Sequence, residues 1–496
     1  MPALSESDFG IVRRCSMSVE ADHHPFSVQR SAVFSIDQLE KIEEAAMRIL
    51  EGVGIAVLDD GVRERLLSFG FPAKGDRILV ERNLVRKFLE AERKSNGNKY
   101  SEQPQPINIR SSQINISVSG YPQHVHDIET DKIVPFTTER LIEAAKLVDV
   151  LSSRGVSSSP PGFPTDVPPP LQPVMQYWIA AVYSRQKHRA RDAKSVESYP
   201  YVMDMAEVMG NPIGNLPIYV FSPLTLGGES LKCVLKFRER LSSFSVSDMP
   251  SIGCTAPINI GDAAALAAAE VIGSVILVRE VVDLPVSWHI RLCSIDLHSM
   301  AMVLGSPEDF LLQLANPEIN AYFHGTGWHQ SFSYVHTNAK LPGPQACAEK
   351  ASLMTAGALL GARSFGVAGT LSLDEVFSPE QLLYDVEIKD HVQRVVQGID
   401  ADCDPERCLR DVREAMENRL FAATNATVEN YRDFYWFPKL FEREFLAAWQ
   451  GEGSVTIREK AHEMIRELLS RYDYELDPKL RSDLDRILAR AKSELL

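Results

Sequence analysis

Side chains able to hold a cation or move a proton gather at the ends of short apolar runs in this sequence. Trp288, His289 and Arg291 close one run. Tyr334, His336, Thr337, Asn338 and Lys340 close another, with Gly327-Trp328-His329 just upstream. Thr370, Asp374 and Glu375 follow a third, and Gly162-Phe163-Pro164-Thr165-Asp166-Val167-Pro168 follows the first. Aromatic faces attract an alkylated ammonium through the ring quadrupole, and a carboxylate adds net charge. A fully alkylated nitrogen donates no hydrogen bond, so a cage of faces is its strongest recognition. Trp288, His289, Tyr334 and His336, with an acid from Asp374, Glu375 or Asp127, supply such a set. Taken singly, each aromatic reads as packing payload; gathered at strand ends, they read as a binding site.

Other chemistries find less support. His289, His324, His329 and His336 invite a zinc reading, but no H-E-x-x-H, H-x-x-E-H or cysteine-pair spacing accompanies them, and no directly bound metal is expected. Cys254, in Gly253-Cys254-Thr255-Ala256-Pro257, reads as a small buried hydrophobe rather than a nucleophile. The sequence lacks a Gly-Lys-Ser/Thr phosphate loop, a G-x-S-x-G elbow and a G-x-G-x-x-G dinucleotide turn.

The elements that must position these residues belong to a large globular chain. It has 496 residues, 45% of them hydrophobic and 24% charged, with a net charge of -15. That acidity disfavours nucleic acid and anionic membranes, which repel it. Met1 to Gln29 lacks the unbroken apolar core of a secretory signal. Ala263–Val278, interrupted by Glu270, is too short and too polar to span a bilayer and reads as a buried helix. The seven scattered cysteines, Cys15, Cys233, Cys254, Cys293, Cys347, Cys403 and Cys408, form no CxxC pair and suit a reducing cytoplasm.

Residues 1–35 read as an irregular arm. Ser35 and Gln38 form an S-x-x-Q capping box for a helix with Leu39, Ile42, Ala46 and Ile49 inward. A second helix fits Glu81–Arg93. Ile107 to Ser119 alternates like a half-buried strand in two pieces. These elements suggest an N-terminal α+β cap over 36–150. From there, apolar runs alternate with helices. The runs are Gly155–Ser159, Pro217–Phe221, Ser243–Ser247, Pro285–Ile290, Phe332–His336 and Ser364–Gly369. The helices fit 171–187, 195–209, 227–241, 261–281, 306–322, 343–361 and 379–398. Repeated β-α units imply parallel strands with right-handed crossovers. The expected fold is α/β, a TIM (β/α)8-type barrel over 151–400, with a helical extension over 401–496. Six of its strands are visible; an open doubly wound sheet is the alternative.

Several segments, in order, resemble the trimethylamine methyltransferase family. Leu39–Val57 is similar to its I-x-E-A-A-x-x-I-L-E-x-V-G opening, and His126-Asp127-Ile128-Glu129-Thr130-Asp131 with Pro135-Phe136-Thr137 to its D-L-E-T-G…P-x-T segment. Asp166-Val167-Pro168-Pro169, Gly253–Pro257 and Gly305-Ser306-Pro307-Glu308 resemble D-V-P-P, G-A-T-A-P and G-S-P-E. Thr337-Asn338-Ala339-Lys340 with Gln345-Ala346 and Glu349 resembles T-D-A-K…Q-A-x-x-E. Ser378–Leu382 and Trp436–Phe441 are similar to S-P-E-Q-L and F-x-P-K-L-F. The resemblance implies a TIM barrel that passes a methyl group from a methylated amine to a corrinoid held by a cognate protein. It also implies His336 and Asn338 at the reacting centre, Phe365 beside the substrate, and Lys340, Gln345 and Gly366 toward the corrinoid. Trimethylamine-specific members carry pyrrolysine near Tyr334–Thr337; this chain does not. A quaternary amine such as a betaine or carnitine is therefore the expected donor. Asn338 and Phe365 stand where relatives often have aspartate and histidine. The competing expectations are a zinc-dependent corrinoid methyltransferase and a non-catalytic betaine-binding protein. A homo-oligomer is expected.

Overall fold

The computed structural model describes residues 27–105, 113–186, 195–328, 332–399 and 402–496. His329 and the Ile107/Ile109 piece lie outside these residues. The first helix, Ile36–Gly52, starts at Ser35 with both halves of the capping box made. Its stripe of Leu39, Ile42, Ala46 and Leu50 is buried against the helix Ile260–Val281. Gly273 permits that approach, since a Cβ there would stand 2.5 Å from Leu50 Cδ2. Ile260–Val281 is long and apolar enough to cross a membrane by composition, yet 78% of its apolar window is buried within the chain. Apolar residues all round its circumference suit a helix enclosed by protein.

Parallel strands and helices alternate as the patterning expects. Asn215–Tyr219, Ser243–Ser247 and Val286–His289 form one parallel sheet, in register Ser247 with Tyr219 and His289. The helices between and after them are Gly228–Phe237, Ile260–Val281 and Pro307–His324. A second parallel sheet places Asn115–Val118 between Ser364–Ala368 and Val156–Ser157. Asn115–Val118, grouped by its alternation with the N-terminal elements, is thus the middle strand of a parallel sheet. Alternation signals a strand but is blind to which partners flank it. The expected strand Phe332–His336 is reduced to one bridge, Tyr334 with Gly366. Among the described residues the two sheets are not joined into a closed ring, so the architecture is α/β with parallel β-α units.

Each parallel strand has two unlike faces. Phe244, Val246, Ile116 and Phe365 are buried on the side packed by helices. The other face carries Asn215, Ser243, Ser245, Ser247, Ser117 and Ser157. Asn215 Nδ2 donates to Ser243 Oγ at 2.9 Å, and Ser245 Oγ donates to Asn215 Oδ1 at 3.3 Å. Filled barrels put branched apolar layers inside; this face is polar and partly open to water. The C-terminal helices Ile457–Ser470 and Pro478–Leu495 fold back over the body, burying Ile465, Leu484 and Leu488.

One buried ion pair shapes the strand ends. Lys350 Nζ donates to Asp385 Oδ2 at 2.8 Å and to the Val367 carbonyl at 3.1 Å. Asp385 also accepts from Gly369 N–H at 2.7 Å and from Gln381 Nε2 at 2.8 Å. The pair thereby holds the turn after Ser364–Ala368, where Val367 and Gly369 have φ of 65° and 73°. Lys350→Met leaves the carboxylate buried without its counter-charge, and is expected to cost about 3 kcal/mol. The double change Lys350→Met with Asp385→Leu is expected to recover much of it. Urea unfolding measures both; a single change within about 0.5 kcal/mol of the parent, the range of an ordinary surface substitution, contradicts the assignment.

Candidate functional site

The polar strand face ends in a pit at the carboxyl ends of the strands. A cavity of about 240 Å³ there, against the helix Pro307–His324, is lined by His289, Arg291, Leu292, Asp309, Phe332 and Tyr334, among others; His336 and Asp374 lie beyond its walls. Drug-sized ligands occupy roughly 300–1,000 Å³, so this space suits a small molecule. Arg291 sits with its guanidinium carbon 4.8 Å from the Tyr334 ring centroid. Tyr334 in turn lies near the His336 ring, 5.7 Å between centroids and 27° between planes. His336 Nε2 is 3.7 Å from Asp374 Oδ2. A guanidinium, a phenol, an imidazole and a carboxylate thus succeed one another across the strand ends.

Each of these groups has a local cause. Tyr334 rests on Gly366, where a Cβ would come within 3.2 Å of the Tyr334 ring. Gly305, at φ 96°, lets its loop pass the His336 carbonyl, which a Cβ would meet at 2.4 Å. Asp374 rides on a turn in which Ser372 and Leu373 have positive φ. Burial alone would raise the Asp374 carboxyl, but the neighbouring His336 imidazole outweighs it and holds the carboxyl below the ordinary range. His336 Nδ1 and Asp374 Oδ1 are both buried with no hydrogen-bond partner among the described residues. Buried polar atoms left open in this way are candidates for ligand or water contacts. His289 keeps solvent contact at the pit wall, yet the walls remove bulk water around it. That desolvation, then Arg291, pulls its pKa down. Its Nε2 is 3.0 Å from Ser247 Oγ.

The sequence-derived residues divide by strand parity. Tyr334, His336, His289 and Gly366 share the polar side. Trp288 faces the helices: it is buried, stacks on His324 at 3.8 Å and lies 6.0 Å from Phe88. Phe365 is fully buried against Gly357 of the helix Pro344–Leu359, where a Cβ would be 2.8 Å away. Asn338 spends its amide on backbone, accepting from Leu304 N–H at 3.0 Å and donating to the Met302 carbonyl at 2.9 Å. Lys340 donates to Ser372 Oγ at 2.7 Å, and Ser372 Oγ donates to Glu375 at 2.5 Å. These two brace the turn bearing Asp374. Gln345 bonds Glu349 at 2.9 Å on the surface. Asp127 ends a hairpin; burial would raise its carboxyl, but Arg140 and the Thr130 and Glu129 amides outweigh it and lower the pKa. Trp288, Phe365, Gln345 and Asp127 are therefore not brought to the pit. Cys254, expected buried, is exposed, because it sits in a loop rather than at a strand end. Arg291 was visible in the sequence as a neighbour of His289, but without a role. Among the described residues no three His, Cys, Asp or Glu side chains converge to hold a metal.

A fold of parallel β-α units with a small pit of mixed polar and apolar walls at the strand ends defines a class of enzyme-like α/β proteins. The family model for trimethylamine methyltransferase (MTTB) matches residues 14–495, and the chain belongs to that family. It is similar to trimethylamine methyltransferase MttB of Methanosarcina barkeri, 24% identical over 92% of this chain and 95% of the relative. It is also similar to a glycine betaine methyltransferase of Desulfitobacterium hafniense, 21% identical over 93% of this chain and 98% of the relative. A proline betaine:corrinoid methyltransferase of Eubacterium limosum is 20% identical over 83% of this chain and 87% of the relative.

Asn338 gives this site a pH-dependent test. Asn338→Asp keeps the acceptor for Leu304 N–H but sets a carboxylate against the Met302 carbonyl. The loss is expected to be about 1–3 kcal/mol at neutral pH. The new carboxyl has a raised folded pKa, so the folded state binds the extra proton and the deficit shrinks as pH falls. Thermal unfolding of parent and variant at several pH values checks this; a deficit constant with pH contradicts it.

Proposed function

We propose that the chain transfers a methyl group from a carboxylate-bearing quaternary amine, a betaine, to the corrinoid of a partner protein. The observation that carries this reading is the placing of Arg291 at one end of the Tyr334–His336 row and Asp374 at the other. A betaine is a zwitterion, and this row offers it a cation for its carboxylate and a carboxylate for its ammonium. The guanidinium already lies over Tyr334, so that ring face is not vacant for an ammonium. Attraction of the ammonium then rests on Asp374 and the His336 edge of the row. An arginine fork suits a carboxylate well. The names of the relatives that act on glycine betaine and proline betaine support the same donor class.

In the transfer the nitrogen–methyl bond breaks and nitrogen keeps the electron pair, leaving as a neutral tertiary amine. No general acid is needed. The reduced corrinoid, when its protein is docked, supplies the nucleophile and receives the methyl group. This chain's share is to hold the methyl carbon in line and to exclude water, which is catalysis by positioning. The loops that follow the strand ends expose Met249, Ile258, Leu297, Met300 and Leu341, apolar side chains of the kind that mark protein contacts. Closure of the two sheets into an eight-stranded barrel and work in a reducing cytoplasm belong to the same proposal.

Arg291→Ala removes the carboxylate anchor. Glycine betaine affinity is expected to fall about 10–100-fold, the worth of a charged hydrogen bond of about 1.5–3 kcal/mol. Tetramethylammonium, which has no carboxylate, is expected to bind parent and variant alike. Calorimetric titration of both ligands decides; equal losses for the two, or no betaine binding to the parent, contradict the proposal.

A further inference from the structure

Beneath the pit lie two acids that the transfer does not use. Asp248 follows the strand Ser243–Ser247 and Glu270 sits inside the helix Ile260–Val281; both are buried. Asp248 Oδ1 accepts from the Arg291 backbone N–H at 3.0 Å. Glu270 accepts from Ser222 Oγ at 2.6 Å and from Leu224 N–H at 2.8 Å. The two carboxyls lie close enough to act on each other directly. Asp248 Oδ2 has no donor among the described residues, an expensive state for a buried oxygen unless that oxygen itself carries a proton.

We infer that Asp248 and Glu270 share one proton, resident on Asp248, and that this pair is the positioning device for Arg291. A protonated Asp248 donates to Glu270, so every oxygen of the pair is satisfied with a single negative charge. The pair then ties together three places: the turn after Asn215–Tyr219 through Ser222 and Leu224, the end of Ser243–Ser247, and the backbone of Arg291 after Val286–His289. Burial pushes both carboxyls up, and the charge of Glu270 pushes Asp248 further. The surrounding groups are Arg291, Cys293, His289 across Ser247, and Asp309 from the helix Pro307–His324. The Cys293 thiol is pushed to about 11 by burial and is neutral. Arg291 is the cation on the Asp248 side, and Arg77, whose guanidinium reaches the Leu224 carbonyl, is the cation nearest the Glu270 side.

The role of Arg291 as carboxylate anchor rests on the proposed function; the shared proton does not. An acid whose folded pKa is raised contributes fully below its unfolded value, about 3.9, and that contribution is lost as pH rises toward the folded value. Asp248→Asn puts a permanent donor in the same place. The melting temperature of D248N relative to the parent is therefore expected to climb with pH above about 4 and then level off. Infrared difference spectra at neutral pH are expected to show a protonated-acid carbonyl band in the parent that D248N lacks. Glycine betaine affinity is expected to fall about tenfold in D248A and to be kept in D248N. A stability gap flat with pH, or no band lost in D248N, overturns the shared proton. If the parent binds no betaine, the anchor reading falls while the infrared and stability arms still decide the pair. Betaine binding equally strong in D248A, with the band present, overturns the positioning role.

Discussion

The strands of the two main parallel sheets bury one face against helices, and that requirement decides which side chains are free to do chemistry. Successive residues point to opposite sides of a sheet. Phe244, Val246 and Phe365 satisfy the helix side. Their neighbours Ser243, Ser245, Ser247 and Gly366 are left on the opposite, polar face, where Ser247 meets His289 and Gly366 supports Tyr334. Tyr334 and His336 reach the site because they are two apart; Val335 between them is fully buried. The polar lining needs no separate explanation, since the core is built outside the sheets, not within them.

The same constraint explains what was legible in the sequence. Helices with strong stripes and caps, such as Ile36–Gly52 after Ser35 and Pro307–His324 after Ser306, were readable because their signals are local. The strand runs were readable as runs. What could not be read was their parity. Trp288 and His289 are adjacent and chemically attractive, but only His289 faces the pit. Phe365 read as a lost polar group only through the family resemblance. Its ring points into the helix layer, so its effect on the pit is indirect. Asn338 looked like a reacting group, but its two amide atoms are taken by the backbone at Leu304 and Met302. Such long-range partners leave no periodic trace. The partners of Asn115–Val118 were hidden for the same reason.

Buried charge concentrates where the strands end. Lys350 with Asp385 holds the turn at Val367 and Gly369, and Asp248 with Glu270 holds the backbone of Arg291. Uncompensated charges in such places are costly, so each is tied to several donors or acceptors. A larger hollow of about 450 Å³ lined by Met175, Trp178 and Leu488 lies between helices instead. Its charged members Asp485 and Lys492 stand on the helix Pro478–Leu495, and Asp485 is already bonded to Trp178 and Arg481. Size alone therefore points away from the chemistry, and the convergence of charged groups points toward it.

The central claim is that this pit presents the methyl group of a betaine to a corrinoid. Its most direct test is a single turnover. The purified protein is mixed with glycine betaine or proline betaine and a corrinoid carrier protein held in the reduced state, and the corrinoid absorbance is followed. Conversion to the methylated corrinoid is expected, with stoichiometric release of the demethylated tertiary amine. Saturating betaine binding with no methylation of any carrier would contradict it.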